Sequence, residues 1–192
     1  MTRIVALVEG HGEVAAVPLL LRRIADVVSP GLNIDMPRPI RVPRQRLLSR
    51  GELERAIELA ARQAGADGRI LILLDANSDC PKDLGPKILS RAFAARKDRT
   101  IRVVLAKVEY EAWFLAAADS IAGSRGLDPA TTAPPDPESI ADAKGWLTDH
   151  MRAGRSYRET LDQPALTSVF DLASARKAPS FDKMWRDVTS LL

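Results

Sequence analysis

Three short apolar runs each break off at, or a few residues before, an acidic residue. This pattern constrains the fold more than any other feature. Ile4-Val5-Ala6-Leu7-Val8 meets Glu9, Ile70 to Leu74 meets Asp75, and Ile101 to Ala106 is followed by Glu109 and Glu111. Such short runs, rich in branched side chains, suit strands buried on both faces. Between them the period becomes helical. Leu19, Leu20, Ile24 and Val27-Val28 mark a first helix, with Pro18 at its start or kinking it. Leu53, Ile57, Ala60, Ala61 and Ala64 mark a second, with capping-box spacing at Ser49-Arg50-Gly51-Glu52 and Gly65 to close it. Leu84, Ile88, Leu89, Ala92 and Phe93 mark a third, and Glu111 to Ile121 a fourth. Ile34 to Val42 reads as a poorer strand, which Pro37 and Pro39 place at an edge or beside a bulge.

Strand–helix alternation repeated in this way predicts an α/β fold: a Rossmann-type sheet of about four mostly parallel strands flanked by helices. Pro129, Pro134, Pro135 and Pro137 punctuate a connector. The expected organisation is an α/β domain over 1–123, a Pro-rich connector over 124–137, and a helical extension over 138–192 packed on the same domain. No apolar run is long enough to span a bilayer, and the start reads as a strand and not as a secretory h-region. A single cysteine, Cys80, forms no internal disulfide, so a reducing cytoplasm is the expected compartment.

In a parallel sheet the acids after the strands share one rim, where such sheets bind ligands. Carboxylates gathered there repel one another unless a cation is present. Oxygen donors without a Cys or His cluster suit Mg²⁺ or Mn²⁺, and such a site can activate water against a phosphodiester. The plainer reading is that each acid caps a helix or sits in a solvated loop. Gly10 and Gly12 in Glu9-Gly10-His11-Gly12-Glu13 allow a tight turn and close ligand approach, but no Walker lysine follows.

The segments Val8-Glu9-Gly10-His11-Gly12-Glu13, Leu74-Asp75-Ala76-Asn77-Ser78-Asp79-Cys80-Pro81 and Glu109-Tyr110-Glu111-Ala112-Trp113-Phe114-Leu115-Ala116 resemble the bacterial domain of unknown function 4276 family, which has a Toprim-like fold. Lys144, the Tyr157 region and Ala178-Pro179-Ser180-Phe181 look like later motifs of that family, so the resemblance covers nearly the whole chain. It implies Mg²⁺ bound through a Glu after the first strand and an Asp-x-Asp after the third. By position, Glu9 would be the metal-linked acid or base and Asp75 the main ligand. The second Asp of the motif falls on Asn77, whose amide brings no charge; Asp79 is the available substitute, with Glu109 and Glu111 completing the metal set. Gly10, His11, Gly12 and Glu13 would support the site.

Of 28 basic residues, 21 are Arg. Arg38, Arg41, Arg44, Arg46 and Arg50 form a stretch with no acid between them, either a phosphate-contacting strip or a solvated edge. Lys107, just before Glu109, is either a further phosphate contact from the rim or a surface lysine at a strand end. Tyr157, among Arg152, Arg155 and Arg158, either sits over the site or forms a surface turn. Trp113, Trp146 and Trp185 read as packing residues. The resulting expectation is a Mg²⁺- or Mn²⁺-dependent nuclease acting on DNA or RNA. The alternatives are a non-catalytic Toprim-like subunit working with a separate ATPase, possible in phage defence, and a small-nucleotide binder.

Overall fold

A computed structural model describes residues 2–192. The chain runs β1 (Thr2–Val8), α1 (Glu13–Val28), β2 (Ile34–Asp35), β3 (Ile40–Arg41), α2 (Arg44–Leu48), α3 (Glu52–Ala64), β4 (Arg69–Asp75), α4 (Pro81–Ala95) and β5 (Ile101–Ala106). It continues through α5 (Ala112–Ala116), α6 (Ala118–Ile121), α7 (Ala143–Asp149), α8 (Glu159–Thr167), α9 (Leu172–Ala175) and α10 (Pro179–Leu191). All strand pairings are parallel, in the order β2-β1-β4-β5.

The predicted poor strand over Ile34 to Val42 is two short ones. Ile34 pairs with Thr2 at one end of β1, and Ile40 pairs with Leu7 at the other. Between them Pro37 and Pro39 cannot donate to the ladder, so pairing lapses. The capping box does not form. Ser49 ends α2 and donates to the Gln45 carbonyl, Gly51 enters α3 with φ +81°, and Glu52 pairs with Arg46 and Arg55. The left-handed turn that Gly51 permits carries Ser49 away from the α3 amides. Pro18 lies inside α1, and the helix predicted from Glu111 to Ile121 breaks at Ala117.

Period-two alternation divides the core into two layers. Ile4, Ala6, Val8, Leu71, Leu73, Val104 and Ala106 face α1, α5 and the C-terminal helices; Val5, Leu7, Ile70, Ile72, Leu74, Val103 and Leu105 face α3 and α4. Residues 138–192 bury Leu166, Phe170, Phe181, Met184 and Val188 in the first layer. Phe181 meets Trp113 edge-on, with ring centroids 5.2 Å apart. Among the described residues, no helix is long and apolar enough to cross a membrane.

Candidate functional site

From β1 the chain turns to one side of the sheet, toward β2 and β3. From β4 it turns to the other, toward β5. The crevice between the carboxyl ends of β1 and β4 is therefore the topological switch point, where α/β sheets receive ligands. Glu9 leaves β1 there and Asp75 ends β4.

Four more side chains join them. Glu13, in the first turn of α1, turns back so that its Oε2 accepts the Glu9 and Gly10 backbone N–H groups at 2.8 and 2.9 Å. Asp75 Oδ1 accepts the Tyr110 backbone N–H at 2.8 Å. Glu111 is wholly buried; its Oε1 accepts Tyr157 Oη–H at 2.7 Å and Gln163 Nε2–H at 3.1 Å. Glu109 Oε2 accepts the Ala143 and Lys144 backbone N–H groups at the start of α7. Lys144 then extends its ammonium into the middle. It lies 3.0 Å from Glu109 Oε1, 3.4 Å from Glu111 Oε2 and 3.9 Å from Asp75 Oδ2.

Burial and mutual repulsion govern this cluster. Burial raises the Glu9 carboxyl against the opposing charge of Arg44. Burial also lifts Glu13 to about 7, against its two backbone donors and with Glu9 and Glu111 adding to the rise. Asp75 is raised well above the usual range by burial, with Glu13 and Glu111 adding to it. Glu111 is raised by burial, with Lys144 opposing. Burial pushes Lys144 down, but Glu111, Asp75 and Glu109 outweigh it and hold the ammonium above its ordinary value. Two carboxylate oxygens, Glu9 Oε2 and Glu111 Oε2, are buried without a hydrogen-bond partner, as is Gln163 Oε1. The cluster thus gathers five carboxyl groups around one lysine, with Arg44 acting on Glu9 from beside it.

The structure leaves other expected residues outside. Asp79 is about half exposed and paired with Arg44. Asn77 is exposed, with a left-handed backbone (φ +50°) whose N–H donates to Val108. His11 is exposed. Gly10 and Gly12 serve packing: a Cβ on Gly12 would meet Gln163 Oε1 at 2.4 Å and the Glu159 carbonyl at 2.7 Å, and one on Gly10 would meet Glu159 Oε1 at 2.8 Å. Within the basic strip, Arg44 also donates to the Asp75 carbonyl, Arg46 pairs with Glu52, and Arg41 reaches the Glu9 carbonyl. Arg38 is exposed. Lys107 lines a separate cleft of about 1130 Å³ between α4 and α10, along the open edge of β5. Sequence reasoning assigns no role to Lys144, Glu159 and Gln163; of the two readings for Tyr157, the structure has it reach Glu111. The 34 residues between Glu109 and Lys144 carry no spacing signal that would join them.

A family model described as a domain of unknown function (DUF4276) matches residues 8–189. The chain belongs to this family. The matched span of this DUF4276 member takes in every carboxylate of the cluster and the segments that carry Lys144, Tyr157 and Gln163. No curated protein and no solved structure matches the chain.

Among the described residues, no group of three or more His, Cys, Asp or Glu side chains is preassembled to hold a metal ion. The carboxylates converge on Lys144 instead, and Glu13 and Glu109 are engaged by backbone N–H groups. The donor chemistry nevertheless matches a hard divalent cation. All are oxygens, and the unpartnered Glu9 Oε2 and Glu111 Oε2 are the kind of atoms such an ion satisfies.

Proposed function

We propose that this protein is a Mg²⁺- or Mn²⁺-dependent phosphodiesterase acting on DNA or RNA, with a Toprim-like acidic site. The observation that carries the reading is the pair of buried oxygens without a hydrogen-bond donor on Glu9 and Glu111, within a cluster of five carboxyl groups around Lys144. Glu9, Asp75 and Glu111 would hold the cation, which when bound supplies Lewis acidity toward phosphate and water.

The chain's own residues do the rest. Glu9, its carboxyl raised by burial, is suited to take a proton from the attacking water. Lys144 stands where it can neutralise a non-bridging phosphate oxygen. Tyr157 and Gln163 hold one oxygen of Glu111, leaving the other without a hydrogen-bond donor and facing Lys144. Glu109 sets the start of α7 and so the position of Lys144.

The second reading is a non-catalytic subunit partnered by a separate ATPase. It is favoured by the turning of Asp79 out to Arg44 and by the neutral Asn77. Cleavage of single- and double-stranded DNA and RNA, and of a small aryl phosphodiester, separates the two. Wild type should hydrolyse with Mn²⁺ or Mg²⁺ and not in EDTA. Asp75→Asn and Glu9→Gln should lose at least about 100-fold, the scale set by general acid–base catalysis. No metal-dependent cleavage by wild type would overturn the catalytic reading.

A further inference from the structure

An acidic site repels a phosphodiester, so a polyanionic substrate needs cations beside the carboxylates. The basic strip between Arg38 and Arg50 is a poor source, because Arg41, Arg44 and Arg46 are bound within the chain. Of the 21 arginine side chains, six make no hydrogen bond or ion pair among the described residues: Arg22, Arg38, Arg50, Arg152, Arg155 and Arg158. Three of the six fall within seven consecutive residues, and all three are exposed.

That segment borders the site and is fastened at both ends. At one end, Met151 bridges Leu127 and the Arg152 N–H donates to Gly126 at 2.9 Å. At the other, the Arg158 N–H donates to Asp162 Oδ2 at 2.8 Å, while Arg125 holds Oδ1 of the same buried carboxylate. Tyr157 and Glu159 alternate with Arg158 and face inward. Tyr157 reaches Glu111, and Glu159 Oε1 accepts the Gly12 N–H at 3.1 Å. Arg158 is itself extended (φ −125°, ψ 104°), so its side chain leaves on the opposite side from those two.

We infer that Arg152, Arg155 and Arg158 hold the phosphate backbone of a nucleic-acid strand beside the carboxylate site. The Arg155 N–H donates to the Arg152 carbonyl at 3.1 Å, closing a turn that holds those two residues within about 7 Å, and Arg158 stands three residues further on, at most about 11 Å away; three cations so spaced suit successive phosphates of a polymer. This assignment rests on the proposed phosphodiesterase reading for its substrate, but its test does not require turnover.

The test is binding of single-stranded DNA and RNA oligonucleotides of equal length in EDTA, over a range of KCl. The comparison is wild type, R152Q/R155Q/R158Q and the strip control R38Q/R41Q/R50Q. Each phosphate contact contributes about 0.7 to the slope of log affinity against log salt on a single strand. The loop triple should therefore lose about 2 from the slope, and the strip control should keep it. DNA or RNA responding alone supports the assignment and names the polymer. It is overturned if wild type binds neither, if the loop triple keeps the full slope, or if the strip control loses as much. Circular dichroism checks folding; should the triple fail to fold, Arg152→Gln alone should lose about 0.7. A chain that binds in this way yet hydrolyses no diester would sink the catalytic reading and keep this one. Metal-dependent hydrolysis with an unchanged slope would do the reverse.

Discussion

The Lys144 ammonium lies 3.4 Å from Glu111 Oε2, the one oxygen of that buried carboxylate with no hydrogen-bond donor. Lys144 comes from the C-terminal helical region and Glu111 from the loop after the last strand. Their meeting places one positive charge among Asp75, Glu109 and Glu111, in the crevice where the sheet opens. Lys144 therefore acts as an internal counter-ion, and an incomplete one.

Lys144→Met should destabilise the metal-free protein by about 2 kcal/mol. That is below the usual cost of breaking a buried pair, because about a third of the lysine side chain is exposed. Mn²⁺ should then raise the melting temperature of the variant more than that of wild type. Equal shifts would show that Lys144 and the cation do not share a role.

Stability in EDTA should fall as pH rises from about 4.5 to about 7. Glu13 has its carboxyl raised in the fold to about 7 from an ordinary 4.5, so within this window the folded state holds a proton that the unfolded chain has released. The contribution is complete below pH 4.5 and lost above 7, and amounts to roughly 3 kcal/mol. Glu13→Gln should flatten that part of the curve; a slope unchanged by the substitution would refute the assignment. Surface acids held down by arginine, such as Glu52 and Asp98, contribute only below this window.

Gly12→Ala should cost about 1–3 kcal/mol by overpacking, because the added methyl would press on Gln163 and on the Glu159 backbone. Backbone conformation is not the cause, since Gly12 has an ordinary helical φ of −65°. Denaturant titration of Gly12→Ala alone and with Gln163→Ala decides the point. The second change should recover the part of the loss due to the side-chain clash.

Tyr157→Phe removes one of the two donors to Glu111 Oε1 and should cost about 1–3 kcal/mol. If Glu111 holds the cation, metal-dependent turnover should fall along with stability. Gln163→Leu should act in the same direction. Full turnover in Tyr157→Phe would separate Glu111 from the chemistry.

The strands were legible because each is a short, continuous, branched run, and the predicted run Ile70 to Leu74 lies within β4, which closes at Asp75. Local side-chain chemistry was less reliable. Ser49 and Glu52 have the spacing of a capping box, yet the left-handed turn at Gly51 parts them. Asp79 stands four residues beyond Asp75, yet Arg44 draws it outward. Glycines suited to ligand approach prove to be where α8 presses against the loop after β1.

Taken alone, the amino-acid order determined that Glu9, Asp75, Glu109 and Glu111 would stand on one edge of a parallel sheet, because strand direction carries every residue after a strand to the same rim. It could not determine which of them would converge or what would face them. Lys144, Tyr157 and Gln163 enter from α7, α8 and the loop between them, 33–52 residues beyond Glu111, placed there by burial of Phe170, Phe181 and Met184 against the sheet. Hydrophobic burial is non-directional along the chain, so no local spacing records where it will bring a distant lysine. The charge balance at the centre of this site is a product of that packing.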